Sequence, residues 1–315
     1  MPAGRITWAD LPACVQTWAE HRLGAPVTRV VGATGGYSPG TTDALFTADG
    51  RAGFLKAVHP SINPHSPSLI RAERDVLTRM PAGLPVAGLI DCFDEGPDGW
   101  VAILLEHVVG RQPALPWTRQ LASRVSADLA ALSAALTPNP APGLSSAPEE
   151  LRRMMSNWPE LSGRNGLDPW LADRSDVLDE LAQAALNRTG GDTLTHLDLR
   201  ADNMLLRPDG SLVVVDWAWG LAAASWVDPA LLLIEFISNG APDLDVDALI
   251  DELAARHLVD VESIVGLLIG VLGFFEDAGR QPDPPGLPTV RAFQRFQGAA
   301  LFAWLRTSRH TRGLR

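Results

Sequence analysis

Residues 196–217, HLDLRADNMLLRPDGSLVVVDW, carry polar groups whose types and spacing suit catalysis and metal binding. These groups are His196, Asp198, Asn203 and Asp216. The apolar run 212–215 predicts a buried strand, and a turn at 208–211 predicts that it forms a hairpin with a strand starting near Asn203. Pairing in that hairpin makes Asn203 and Asp216 near neighbours. An amide oxygen beside a carboxylate offers the hard, oxygen-only ligands that Mg²⁺ prefers.

Asp198 lies five residues before Asn203, close enough along the loop to face the same point. The alternative for acidic residues in such a segment is a role in turns and caps. We adopt it for Asp202 and for Asp209, since Asp209-Gly210 is a turn signal. For Asp198, Asn203 and Asp216 together we favour a chemical site. His196 is interpreted as a structural histidine that bonds the loop backbone rather than as a catalytic group.

The pattern His196-x-Asp198-x₄-Asn203, followed by Asp216 after an apolar strand, resembles the catalytic loop and metal-binding aspartate of protein kinases. The version HLDLRADN…VVDW, with Trp217 after the aspartate, resembles the aminoglycoside phosphotransferase family of small-molecule kinases, over about residues 26–305. The resemblance implies an α+β, two-lobed protein-kinase-like fold with ATP and Mg²⁺ as cofactors. Asp198 would be the catalytic base, and Asn203 and Asp216 the metal ligands.

The stretch GFLKAVH, residues 53–59, holds Lys56, the only lysine among 26 basic residues. In kinase-like lobes, a lysine on the third strand holds the α- and β-phosphates and pairs with a glutamate on the next helix. Glu73 falls on the apolar face of the helix predicted at 66–79. A buried carboxylate needs a cation and a buried lysine needs an anion, so a pair of Glu73 with Lys56 would explain why both are buried. The alternative is a lysine that extends past the sheet edge to water.

The glycine-rich segment GATGGYSPGTT lies between the first two predicted strands, where the family folds a turn over the phosphates. Gly35 and Gly36 permit close backbone approach and Ser38 offers a hydroxyl, whereas Pro39 removes one backbone donor. At the end of the fifth strand, the resemblance places a hinge at which the backbone groups of Glu106 and Val108 meet the adenine edge.

The elements that must position these groups fall into two parts. We predict an N-terminal lobe at 1–107, with a small antiparallel sheet, and a larger, mainly helical C-terminal lobe at 108–315. The predicted strands are 27–33, 43–48, 53–58, 87–93 and 100–108. The predicted helices are 7–22, 66–79, 117–136, 170–187, 229–238, 245–257, 261–277 and 288–307.

Candidate substrate contacts come from the helical lobe. They are Trp219, Trp226, Asp228, Glu235, Glu276 and Asp277. For the two tryptophans core packing is an equal alternative. Asp228 is also a good helix N-cap, because Pro229 follows at the first helical position.

Composition restricts the partners. The net charge of −11 argues against nucleic acid, which needs a basic surface. The longest apolar run, 264–275, is too short to cross a bilayer. The N-terminus lacks the apolar core of a signal peptide, and Cys14 and Cys92 read as reduced thiols in the core. We therefore expect a cytoplasmic monomer or homodimer.

Together these features predict an ATP- and Mg²⁺-dependent phosphotransferase that acts on a hydroxyl of a small molecule. An aminoglycoside or another antibiotic is the first choice of acceptor, and an amino alcohol, a sugar or a nucleoside is nearly as well supported. The alternative from another functional class is a pseudokinase-like protein that binds nucleotide or metabolite without turnover. It is disfavoured because Lys56, Asp198, Asn203 and Asp216 are all residues that can carry out the chemistry. A protein kinase is disfavoured, because no Ala-Pro-Glu segment follows Asp216.

Overall fold

The computed structural model of the chain describes residues 6–33, 39–285 and 287–314. The chain divides into two compact units. The sheet unit comprises Met1–Gln112, Asp202–Gly220 and Asp283–Pro288, and the helical unit comprises Pro113–Ala201, Leu221–Pro282 and Thr289–Arg315. A single cut after residue 107 differs from this division, because two later segments of the chain return to the sheet unit.

The helices and strands follow the predicted order along the chain, with a region of mixed strands and helices first and a mainly helical region after it. The strands are β1 (Val27–Gly32), β2 (Thr41–Thr47), β3 (Ala52–Val58), β4 (Leu89–Asp94), β5 (Val101–Glu106), β6 (Thr193–Thr195), β7 (Met204–Leu206), β8 (Leu212–Val214) and β9 (Leu221–Ala223). The helices are α1 (Ala13–Leu23), α2 (Ser66–Leu77), α3 (Arg119–Ala135), α4 (Ala147–Met155), α5 (Trp158–Leu161), α6 (Pro169–Ala172), α7 (Ser175–Leu186), α8 (Val227–Asn239), α9 (Val246–His257), α10 (Val261–Ala278) and α11 (Val290–Thr307).

The sheet unit is built on an antiparallel sheet in the order β1-β2-β3-β5-β4. Its core lies between the sheet and α1, where Leu55 and Ala57 of β3 are fully buried. Because successive side chains of a strand point to opposite faces, Lys56 lies on the other face, against which α2 packs. The register places Lys56 opposite Thr42 on β2 and Ile103 on β5.

The helical unit is organised around α10, which is buried along nearly its whole length. Its glycines permit close packing: a Cβ added at Gly266 would come within 2.4 Å of the Leu181 carbonyl oxygen on α7. A Cβ added at Gly270 would come within 2.8 Å of the Met155 side chain on α4. The apolar run of α10 is therefore a core helix. Among the described residues, no helix is both long enough and apolar enough to span a membrane.

Three expectations are corrected by the structure. The helix predicted at 7–22 begins only at Ala13, after a 3₁₀ turn at Trp8–Asp10, because Pro12 keeps the preceding residue extended. The helix predicted at 170–187 is two helices, α6 and α7. Cys14 and Cys92 are exposed rather than buried; Cys92 points outward from the edge strand β4, on which burial alternates.

Candidate active site

Lys56 lies between two carboxylates of the sheet unit. Its Nζ donates to both oxygens of Glu73, at 2.9 and 2.7 Å, and to Oδ1 of Asp216 at 2.8 Å. Glu73 is 1% exposed and comes from the inner face of α2, whereas the Asp216 side chain is 45% exposed. The predicted pairing of Lys56 with Glu73 is thus present, and Asp216 shares the same ammonium group.

The electrostatics of this triad follow from burial and charge together. Burial disfavours the charged ammonium, but the facing charges of Asp216 and Glu73 more than compensate, and the pKa of Lys56 is raised. Burial raises the pKa of Glu73, with repulsion from Asp216 acting in the same sense and Lys56 opposing both. The lysine is therefore a fixed cation at neutral pH. It offers a positive charge on the face of the sheet against which α2 packs.

Asp216 is held in place by the hairpin that the sequence predicts. The β7–β8 pair brings its two ends together, and the Val215 N–H donates to the Asn203 carbonyl oxygen at 3.0 Å. Asp216 itself has φ 70°, a left-handed conformation that is rare outside glycine and is found at functional sites. The next residue, Trp217, is buried; its indole donates to the Val214 carbonyl oxygen, and its backbone N–H bonds Glu73.

The donor chemistry at the hairpin ends fits a hard divalent cation. Asn203 supplies an amide oxygen from a side chain that is 3% exposed, and Asp216 supplies a carboxylate that reaches solvent. Two oxygen ligands from the protein are what Mg²⁺ commonly takes when phosphates and water complete its shell. In the described part of the chain, no group of three or more His, Cys, Asp or Glu forms a metal site.

A cleft of about 490 Å³ lies at the predicted hinge. It is lined by residues 106–109, together with Ala52, Ile90, Arg207 and Pro208. The Glu106 carboxylate accepts from the Gly88 N–H at 3.2 Å, and the Glu106 N–H donates to the Gly88 carbonyl oxygen at 2.8 Å. Both predicted hinge residues, Glu106 and Val108, therefore line one cleft of the sheet unit. Gly35, Gly36 and Ser38 lie outside the described residues.

Two side chains near Lys56 were missed by the sequence analysis. The hydroxyl of Thr42, directly across from Lys56, is buried and makes no hydrogen bond within the described residues. A buried donor without a partner is costly, so this hydroxyl is suited to receive a polar ligand. Phe54 precedes Lys56 by two residues and so lies on the same face of β3. Strand alternation around Lys56 would have identified Phe54, whereas Thr42 follows only from the register of β2 with β3.

The loop that carries Asp198 lies in the helical unit, as residues 196–201. His196 is fully buried, and its Nδ1 accepts from the Asp198 N–H at 3.2 Å, which confirms its interpretation as a histidine that bonds the loop backbone. Leu197 has φ 62°. The Asp228 carboxylate accepts from the N–H groups of His196 at 2.6 Å and Leu197 at 2.8 Å. A guanidinium nitrogen of Arg200 lies 3.5 Å from the Asp198 carboxylate.

In this geometry the two predicted substrate contacts Asp228 and Glu235 both bond groups of the protein. Asp228 is not an N-cap, because α8 begins one residue earlier, and both its oxygens bind loop amides. Burial raises its pKa, against the opposing effects of His196 and those amides. Glu235 is 4% exposed and accepts from Trp117, Ala201 and Asn239. Both carboxylates are thus buried and bonded to the protein, and their role as substrate contacts stays a prediction.

The remaining substrate candidates separate by exposure. Trp219, in the sheet unit, is 55% exposed, whereas Trp226 is 5% exposed and packs in the core of the helical unit. Glu276 pairs with Arg280 at 2.6 Å, and Asp277 pairs with Arg164 at 2.6 Å. Trp219 is thus the candidate aromatic side chain that stays accessible.

Comparison with known proteins agrees with this geometry. A family model for phosphotransferase enzymes, APH, matches residues 38–263. An aminoglycoside phosphotransferase from Alicyclobacillus acidocaldarius is 16% identical, with 94% of this chain and 95% of that chain covered and a TM-score of 0.57. The amicoumacin kinase hAmiN, solved with AMP-PNP, Ca²⁺ and Ami, is 13% identical over 94% and 95%, at 0.56. Choline kinase LicA from Streptococcus pneumoniae is 13% identical over 92% and 98%, at 0.58.

No curated protein matches the chain. At these identities the solved structures show a shared fold, and the predicted fold class is confirmed as α+β and protein-kinase-like. The five-stranded antiparallel sheet belongs to one unit, and the other unit is mainly helical. The family resemblance drawn from residues 196–217 is confirmed as well.

Proposed function

Since the chain belongs to the phosphotransferase enzyme family, we propose that it transfers the γ-phosphate of ATP, in the presence of Mg²⁺, to a hydroxyl group of a small molecule. The observation that carries this proposal is the position of Lys56. Its ammonium is bonded by Glu73 and Asp216 and lies on the face of β3 away from the α1 core. A compact cation held in this way is suited to phosphate oxygens, which it meets as a point charge.

The nucleotide would bind the sheet unit. The hinge cleft of about 490 Å³ suits a purine base, and residues 106–109 supply backbone groups to its edge. Phe54 lies on the Lys56 face of the sheet and offers a ring for stacking. The hydroxyl of Thr42, which has no hydrogen-bond partner among the described residues, would add a hydrogen bond close to Lys56. The amicoumacin kinase of similar fold was solved with AMP-PNP, which supports an adenine nucleotide here.

Asn203 and Asp216 would hold the metal ion. When bound, Mg²⁺ neutralises charge on the phosphate oxygens during transfer. Asp216 contacts Lys56, and we propose that the same carboxylate also binds the cation. The amicoumacin kinase structure contains Ca²⁺, another hard cation with oxygen ligands.

Asp198 would orient the acceptor hydroxyl and take up its proton as general base. Its loop is bonded to His196 and to buried carboxylates of the helical unit, which limits the conformations open to it. The rest of the rate enhancement would come from positioning and from fixed charge. Asp198 is therefore the residue whose loss should affect transfer without preventing nucleotide binding.

The acceptor would be a small hydroxylated compound, with aminoglycosides and other antibiotics tested first. An amicoumacin kinase and a choline kinase share the fold, so amino alcohols belong in the same panel. Trp219 is accessible and offers an aromatic surface to such a compound. Sugars and nucleosides complete the set of acceptors.

A coupled assay of ADP release tests the proposal. The purified chain is incubated with ATP and Mg²⁺ and with each acceptor in turn, and ³¹P spectroscopy of positive reactions identifies a phosphate ester. The expected result is ADP release that depends on acceptor and is abolished by Lys56→Ala. ADP release at the same rate with and without every acceptor, with no ester formed, would overturn the proposal.

A further inference from the structure

Glu235 is a buried carboxylate that bonds the catalytic loop. Its Oε2 accepts from the indole of Trp117 and from the Ala201 N–H, both at 3.3 Å, and its Oε1 accepts from the Asn239 side chain at 3.2 Å. A charged group at 4% exposure is costly unless its oxygens are bonded. Its retention in the apolar helix α8 therefore calls for a reason beyond packing.

The reason lies in the spacing of the acidic residues on α8. Glu235 follows Asp228 by seven residues, which is about two helical turns, so both side chains lie on one face of the helix. Asp228 binds the N–H groups of His196 and Leu197, and Glu235 binds that of Ala201. The two carboxylates thus hold the loop at its beginning and at its end, with Asp198 between them.

The backbone of the loop is strained at its beginning. Leu197 has φ 62°, which costs free energy for a branched, non-glycine residue and persists only when neighbouring contacts enforce it. Asp228 supplies such contacts at residues 196–197, just before Asp198. The bond from the Ala201 N–H to Glu235 holds the loop at its other end, where it leaves that turn.

We propose that Glu235 is a positioning residue for Asp198: by binding the Ala201 N–H it sets the exit of the loop and so the orientation of the Asp198 carboxylate. This inference rests on the proposed function, because it concerns the residue assigned there as general base. It assigns no contact between Glu235 and any substrate. The alternative is that Glu235 serves only to satisfy the buried indole of Trp117.

The test compares Glu235→Met with Glu235→Gln and with Trp117→Phe. Met keeps the length of the side chain without an acceptor, whereas Gln keeps a carbonyl oxygen that can still accept from Ala201. Trp117→Phe removes the other partner of the same oxygen and keeps an aromatic ring against Phe236, which it meets edge-on. Steady-state kinetics with an identified acceptor are combined with hydrogen exchange of the peptide that contains residues 196–201.

We expect Glu235→Met to lower kcat by about 10- to 100-fold, with KM for ATP within about twofold, since misplacing a reacting group by about 1 Å can cost about 10²-fold. Exchange of the loop amides should accelerate in the same variant. Glu235→Gln should retain most of the wild-type kcat and most of the protection of the loop amides. Trp117→Phe should leave kcat and amide exchange near their wild-type values. If Met does not fold, Glu235→Asp replaces it, because the shortened carboxylate keeps its charge but no longer reaches Ala201.

Two results would overturn the inference: wild-type kcat in a folded Glu235→Met protein, or an equal loss of kcat in Trp117→Phe. The exchange measurement separates this inference from the proposed function. If the wild type phosphorylates no acceptor, the proposed function fails. Even in that case, faster exchange of the loop amides in Glu235→Met, but not in Glu235→Gln, would show that Glu235 holds the loop. Unchanged exchange in Glu235→Met would refute the inference too.

Discussion

The single lysine of the chain illustrates how residue type and burial explain each other. A lysine in an apolar strand and a glutamate on the apolar face of a helix are each costly alone, and together they form a bonded pair. Arginine supplies every other basic position. The choice of lysine here fits a site where a compact ammonium contacts two carboxylates and leaves room for phosphate.

Replacing Lys56 by arginine tests this interpretation. Lys56→Arg keeps the charge, but its planar fork cannot sit between Glu73 and Asp216 in the same space. We expect kcat/KM to fall by about 10²–10³-fold, the usual cost of losing one precisely placed donor to a developing charge. Thermal unfolding should show a folded protein. Wild-type kinetics in the Arg variant would mean that Lys56 does not contact phosphate.

Asp216→Asn addresses the metal ligand. The substitution removes a carboxylate and its charge, so it should weaken ATP binding mainly when Mg²⁺ is present. Calorimetric titrations of ATP with and without Mg²⁺ measure this difference. Asp209→Asn is the matched control, because Asp209 lies in the turn of the same hairpin, bonded to Ser211, and its loss should not alter the magnesium dependence. A magnesium effect that is equal in wild type and Asp216→Asn would contradict the assignment.

At the scale of elements, the orientation of α2 determines where Glu73 points. Arg71, on the outer side of α2, binds Asp94 of β4 through two nitrogens at 2.9 and 2.7 Å, and also binds the Gly96 carbonyl oxygen. The Arg71 guanidinium lowers the pKa of Asp94 from its ordinary value of 3.8 to about 2. This bidentate pair therefore attaches the helix to the edge of the sheet.

The pair predicts a pH dependence of stability. Because the pKa of Asp94 is lower in the folded state, its contribution is complete above pH 3.8 and is lost as the pH falls through about 2. Arg71→Met should cost about 1 kcal/mol or less at about pH 6, and the difference from wild type should shrink at about pH 2.5. Urea denaturation at both pH values measures it. The control is Arg79→Met, because the Arg79 guanidinium bonds only a backbone carbonyl among the described residues; its effect on the free energy of unfolding should not depend on pH. A difference between Arg71→Met and wild type that stays constant with pH would refute the linkage.

Periodicity and turn signals predicted most elements of the fold to within a few residues. The strands around Lys56 and the hairpin of Asn203 and Asp216 follow from apolar alternation and from turn residues. Helix ends were less predictable, because Pro12 shortens α1 by a steric effect on its neighbour. The roles of Asp228 and Glu235 could not be read from their own segment, since the loop amides that they bind lie more than 30 residues away along the chain.

At the scale of the whole molecule, the division into units is the feature least visible in the sequence. The segment Asp202–Gly220 carries both candidate metal ligands and belongs to the sheet unit, although it follows about 90 residues of the helical unit. Its attachment is long-range: Val86 bridges to Val214, and Arg111 bridges to Leu206. Pairings of this kind depend on tertiary structure, which a local pattern does not encode.

The replacement of Asp198 by asparagine tests whether this side chain is the general base of the transfer. Asn is nearly isosteric but cannot accept the proton of the acceptor hydroxyl, so kcat should fall by about 10²–10⁴-fold. Mg-ATP affinity, measured by calorimetry on the same preparation, should change little, because Asn203 and Asp216 remain. We expect turnover to collapse while nucleotide binding persists. Phosphorylation of a confirmed acceptor by Asp198→Asn at the wild-type rate would contradict it.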